Sequence, residues 1–365
     1  MKLASMIRVI MGVFMTALLL MPLTASAVDG PCANCHVMHA SKLGITSTPG
    51  DYLLTGGCLG CHKGDNVGGA TPFIYPDVAA PGDMLAGGNF YYVRAAGGND
   101  RKGHNPVEGV LAADGLPAFA ADPPGWKADY ATTAAGPQAA GQQVPDAWGG
   151  ANRLTCAGTY GCHGRHDGVA AAMHHANATG LADVIDGGTL GESYRFLYGI
   201  AGGEDLDYEY ETALTHNVYI GANRAAGAAD TTATTGTNTM SFFCAECHGL
   251  FHSGNDAATD GLDGATIGSP WLRHPVDFSM PLTGEYAGYA TYKAAVPVAT
   301  SLATGALNNF TVESANERIV MCLSCHYAHA GPNDAALRWD YTLMDAGAGA
   351  NTTGCFACHT TKDTP

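Results

Sequence analysis

The stretch Cys322-Leu-Ser-Cys325-His326-Tyr-Ala-His329-Ala330, followed further on by Cys355-Phe-Ala-Cys358-His359, decides how the rest of the chain is read. In Cys-x-x-Cys-His the two thiols can add to the two vinyl groups of haem as thioethers. The histidine one residue beyond then swings under the ring as the proximal iron ligand. Working outward, the same spacing recurs at Cys32-Ala-Asn-Cys35-His36, Cys58-Leu-Gly-Cys61-His62 and Cys244-Ala-Glu-Cys247-His248. All 12 cysteines fall into pairs whose second member is followed by His. Zinc sites use Cys-x-x-Cys without demanding a His after each pair, and a disulfide framework would not keep so uniform a spacing.

One pair departs from the pattern. In Arg153-Leu-Thr-Cys156-Ala-Gly-Thr-Tyr-Gly-Cys162-His163-Gly-Arg-His166 the interval between the cysteines is longer, but the Cys162-His163 step is retained. Extra residues can bulge outward at a closure cost that grows slowly with loop length, and Gly158 and Gly161 suit a tight bulge. The expectation is a working sixth haem site, the competing reading being a Cys156–Cys162 disulfide. The proximal ligands are then His36, His62, His163, His248, His326 and His359.

The chain has 15 histidines, so nine remain for the second axial positions: His39, His104, His166, His174, His175, His216, His252, His274 and His329. Each iron could therefore be held by two imidazoles with no open position, which favours electron transfer over catalysis. His39, His166, His252 and His329 lie three or four residues past a proximal His, on the same side of a helical turn. None can reach the opposite face of the haem its neighbour ligates, so each must serve another haem and draw the cofactors together. His104 and His274 stand in long segments between motifs and are read as ligands. His174 and His175 are read as surface residues, and His216 as a reserve ligand.

Composition agrees that side chains alone do not fill the interior. Only 14% of residues are charged, 49 are glycine, and the apolar content is mostly alanine. Lys2 and Arg8, the apolar run from Val9 to Leu20 and Ala25-Ser26-Ala27 read as a secretory signal over residues 1–27, cut before Val28. No cysteine stands there to take a lipid anchor, and nothing else is apolar enough to span a membrane. Removing Lys2 and Arg8 from 17 basic residues leaves 15 against 33 acidic, a net charge of −18, which argues against nucleic acid as a partner. Residues 28–365 are expected to form one six-haem domain with paired-haem modules near 32–62 and 322–359. The long Gly, Ala, Thr and Pro-rich connections should be mostly loop, with a short helix near 192–199. Asp256, Asp260 and Asp263 do not have EF-hand spacing and read as a solvated acidic loop. The fold class expected is irregular coil with short helices, wrapped around a continuous haem stack. Without haem the chain should be disordered.

The motifs in their order resemble the hexahaem, nanowire-forming (OmcS-type) cytochromes of metal-reducing bacteria. The resemblance rests on Cys32 to His39, Cys58 to His62, Arg101-Lys-Gly-His104-Asn, His163-Gly-Arg-His166, Cys244 to His252, Leu272-Arg-His274-Pro, Cys322 to Ala330 and the last motif. It implies bis-His haems in alternating parallel and T-shaped pairs, with distal ligands His39, His104, His166, His252, His274 and His329. It also implies an extracellular or outer-surface location and head-to-tail polymerisation in which His39 ligates a haem of the neighbouring subunit. Partners would be further copies of the chain, redox proteins and extracellular electron acceptors. Two other functions stay open: a soluble periplasmic electron shuttle, and a multihaem reductase of nitrogen or sulfur oxyanions. The reductase needs an open iron position, and no motif here has lost its His.

Overall fold

The computed structural model describes residues 58–62, 74–75, 85–94, 100–107, 111, 122–126, 144, 154–166, 184–185, 193–203, 211–223, 238–252, 274–301, 312–347, 349 and 352–363. Residues 1–27, expected to be a secretory signal, lie outside the described residues, as do Cys32, Cys35, His36, His39, His174, His175 and the three aspartates. So do the side chains of Cys61 and His252.

Regular structure is short and scattered, as the composition led us to expect. Helical turns cover Cys58–Cys61, Met240–Ala245, Gly249–His252 and Cys322–Cys325. The strands are β1 (Thr155–Ala157), β2 (Gly161–His163), β3 (Val184–Ile185), β4 (Gly202–Gly203), β5 (Val218–Ile220), β6 (Phe278–Ser279), β7 (Ala299–Thr300) and β8 (Ile319–Val320). Six of them form one sheet in the order β3-β4-β5-β7-β8-β6, antiparallel except for β5 beside β7. Between residues 192 and 199, where a short helix was expected, a 3-10 turn runs over Tyr194–Phe196.

The buried side chains form small separate clusters, and the larger ones each touch an attachment motif. Ile200, Tyr219, Ile319 and Met321 pack together with Cys162 at their edge. Met280, Tyr289, Val298 and Val312 pack together with Cys358 at theirs. Leu59, inside the Cys58–Cys61 turn, packs on Phe90, Val93 and Ala330. Apolar burial is thus concentrated where the cysteines are, which fixes those short turns that would be marginal alone.

Two distant segments are knitted by backbone. Asn89 donates its N–H to Ala330 O (2.8 Å), His329 to Gly87 O (2.7 Å), His104 to His329 O (2.9 Å) and Gly331 to Lys102 O (2.9 Å). At Gly88, with φ +82°, a side chain would strike the Ala330 carbonyl, and at Gly103 it would strike Ala330 itself. Glycine is required at both places for the backbones to approach this closely. The result is that His104 and His329 hang from one seam.

Candidate haem centres

The four regular motifs that are described share one local geometry. The histidine N–H closes a helical turn onto the carbonyl of the first cysteine: His62 to Cys58 (2.9 Å), His248 to Cys244 (3.0 Å), His326 to Cys322 (3.0 Å) and His359 to Cys355 (2.9 Å). A turn closed between residues four apart sets two cysteines three apart on one side and leads the chain away through the histidine. At Cys244 the helix is started by Thr239, whose hydroxyl accepts from Phe242 N–H at 3.2 Å.

The stretched motif reaches a similar end by another route. β1 and β2 pair in parallel with Thr155 opposite Gly161 and Ala157 opposite His163, so Cys156 and Cys162 occupy neighbouring strands at corresponding positions. The intervening residues turn tightly at Gly158, φ +92°, where Gly161 N–H donates to the Gly158 carbonyl at 2.9 Å. Neither cysteine is in a disulfide, and the same holds for the seven others whose side chains are described.

Histidines from remote parts of the chain face each other at a repeated distance. Ring centres are 6.0 Å apart for His104 and His248, 6.3 Å for His163 and His329, and 6.2 Å for His274 and His359. An imidazole nitrogen stands about 2.0 Å from a metal it binds, with its ring centre about 1.1 Å behind, so two imidazoles across one ion have centres about 6 Å apart. Rings in contact span a wider range, from 3.5 Å for His216 and Tyr292 to 5.8 Å for His248 and Phe251. The three pairs fit a six-coordinate haem iron. Each combines the histidine of a cysteine motif with one from elsewhere. His329, three residues beyond His326, faces His163 instead of sharing its neighbour's position.

Hydrogen bonding sets the imidazoles in the ligating form. Nδ1 faces a carbonyl in His104 (Ala328, 2.7 Å), His163 (Arg195, 3.1 Å), His248 (Pro124, 2.6 Å), His274 (Pro275, 2.9 Å) and His326 (Ala335, 2.7 Å). A carbonyl only accepts, so Nδ1 carries the proton and Nε2 keeps its lone pair for a metal. Burial pushes His248 down to about 4, helped by its neighbour His104, and His329 down to about 3, helped by His163. Desolvation likewise lowers His104 and His163, and also His274 and His326 although these two are exposed, so all six are neutral at physiological pH. It raises the thiols, Cys162 to about 11 and Cys325 and Cys358 to about 12.

The remaining candidates stand differently. His166 is buried, with Nδ1 donating to Gly158 O at 3.0 Å and Nε2 3.6 Å from the Glu246 carboxylate. His216 lies against Tyr292 with Nδ1 toward its neighbour's carbonyl, Asn217 O, at 2.8 Å. His252 ends the Gly249–His252 turn.

Residues that orient the motifs carry no sequence signature and were not anticipated. Arg338 binds the carbonyls of Leu323 (2.7 Å), Ala86 (2.8 Å) and Ala294 (3.4 Å), fastening the Cys322–Cys325 turn to two other segments. Arg195 and Ala335, the acceptors for His163 and His326, each sit mid-turn with positive φ, +49° and +58°. Such a conformation is unusual for non-glycine residues and is held here by the turn around it.

A family model described as a doubled CXXCH motif matches residues 315–364. C-type cytochrome OmcS of Geobacter sulfurreducens is 26% identical over 86% of this chain and 81% of its own length. Among solved structures, an outer membrane cytochrome S filament from Geobacter sulfurreducens overlaps 93% of this chain and 93% of that one, with TM-score 0.49 and 21% identity. OmcS nanowires from the same organism overlap 90% of this chain and 88% of that one, with TM-score 0.42 and 23% identity. The chain is thus a distant homologue of OmcS, and its Cys-x-x-Cys-His motifs indicate covalently attached haem c.

Proposed function

We propose that the protein is an exported electron conduit holding six covalent bis-His haems and polymerising head-to-tail into a filament. The observation that carries the reading is the set of three imidazole pairs with centres 6.0–6.3 Å apart, each joining a motif histidine to a remote one. The bound haems supply the one-electron chemistry, and the chain's part is to space, orient and insulate them. His104, His274 and His329 act as distal ligands to the haems of His248, His359 and His163. His39, His166 and His252 supply the distal ligands of the three remaining haems, those of His36, His62 and His326. Imidazole on both sides of an iron leaves no position for a substrate, which supports a carrier over a reductase.

OmcS forms filaments, and the relationship supports the same assembly for this chain. In that assembly His39 reaches a haem of the next subunit. The giving and receiving surfaces differ, so the contact is heterologous and repeats without closing. The filament would lie at the outer cell surface and pass electrons to extracellular acceptors.

The test is intact mass together with electron microscopy of secreted material. The expected result is a mass carrying six haems and filaments that disappear in His39→Ala, whose protomers keep six haems and open one iron to carbon monoxide. Unpolymerised wild-type protein would favour the periplasmic shuttle, and undiminished filaments from His39→Ala would remove the coordinate joint.

A further inference from the structure

Three 3-10 turns support proximal histidines, and they do so through the same residue of the turn. In Tyr194–Phe196 the middle residue, Arg195, presents its carbonyl to His163 Nδ1 at 3.1 Å. In Asp334–Ala336 the middle residue, Ala335, presents its carbonyl to His326 Nδ1 at 2.7 Å. In Gly284–Tyr286 the middle residue is Glu285, and its side-chain carboxylate faces His359 Nδ1 at 3.1 Å. The change of acceptor has a local cause. The Glu285 carbonyl is already taken by Thr360, through its backbone N–H (2.8 Å) and its hydroxyl (2.7 Å), so only the side chain is left to meet the imidazole.

From this geometry we infer that Glu285 sets the haem of His359 and His274 at a lower potential than the haems of His163, His248 and His326. The inference rests on the haem reading proposed above. A carboxylate takes more of the Nδ1 proton's charge than a carbonyl does, so the ring donates more strongly through Nε2 and favours ferric over ferrous iron. The Nδ1 proton stays between the imidazole and the carboxylate in both states. Lys362 Nζ, 3.8 Å from the same oxygen, opposes the effect, but it is largely exposed and solvent weakens it. Lys293, whose ammonium donates to Ala357 O at 3.0 Å within the Cys355–Cys358 motif, opposes the effect as well. The direct hydrogen bond to the ligand outweighs both. One haem near the C-terminus is then the most reducing of the four whose proximal support is described, and a chain of like cofactors acquires a step.

The experiment uses the full holoprotein and two variants, Glu285→Gln and Lys362→Gln. Each is titrated spectroelectrochemically, and its ferric low-spin signals are recorded by electron paramagnetic resonance. In Glu285→Gln one component should rise by about tenfold in its reduced-to-oxidised ratio, about 59 mV for one electron. One low-spin signal should change while the others stay. Lys362→Gln should move the same component the other way. Intact mass separates the two readings, since a wild-type mass without a haem on Cys355 and Cys358 removes the haem assignment itself. With that haem attached, titrations of both variants that superimpose on wild type overturn the inference. If Glu285→Gln fails to retain haem, Lys362→Gln alone decides, and no downward shift in it overturns the inference.

Discussion

His163 and His329 face each other with ring centres 6.3 Å apart, although one follows the stretched cysteine pair and the other lies three residues past a different motif. The seam that joins residues 85–94 and 100–105 to residues 326–331 swings His329 away from His326, through His329 N–H on Gly87 O. On the proposed haem reading, a ligand borrowed across motifs would tie one haem's coordination to the placement of the next segment. That coupling makes single substitutions readable.

His329→Ala should open one iron and only one. Reduced wild-type protein is expected to bind essentially no carbon monoxide, and the variant one equivalent per protomer with haem content unchanged. Carbon monoxide difference spectra check this, and a variant as inert as wild type would mean that His329 is not a ligand.

Gly161→Ala should impair attachment at the stretched site. A Cβ there would press on the Ala157 backbone, so β1 and β2 could not pair and Cys156 would leave its place beside Cys162. Wild type is expected to weigh as six haems and the variant largely as five. A wild-type mass equal to five haems plus a disulfide would show that the longer loop does not carry a cofactor.

Arg338→Met should loosen the Cys322–Cys325 turn by removing donors to the Leu323, Ala86 and Ala294 carbonyls. The loss should be about 2–3 kcal/mol, the range for hydrogen bonds to a charged group in a partly buried site. Denaturant unfolding followed at the haem absorbance gives the figure, and an unchanged midpoint would show that the clamp is redundant.

Ile319, fully buried between β7 and β6, joins the cluster at the edge of Cys162, and Ile319→Ala should cost about 2–5 kcal/mol by the same measurement. Without attached haem the clusters are too small to order the chain. Protein made without haem attachment should give a coil-like circular dichroism spectrum and poorly dispersed amide signals. A cooperative thermal transition in that material would contradict the view that haem supplies the core.

The sequence by itself determined the chemistry and the texture of the fold. Covalent attachment needs cysteines and a histidine at fixed close spacing, so Cys322-Leu-Ser-Cys325-His326 is legible without knowing where it sits. The glycine and alanine content likewise foretold short elements, because few large side chains are available to bury on one face of a helix or sheet. The tertiary structure alone decided which histidines meet. The imidazoles that face each other come from segments joined only by tertiary contacts, so His104 finds His248 and His274 finds His359 through backbone seams and turns that leave no periodic trace. Glu285 shows the same limit. Nothing in Thr283-Gly-Glu-Tyr-Ala287 marks it as the partner of His359, and it becomes one because Thr360 has already taken its carbonyl.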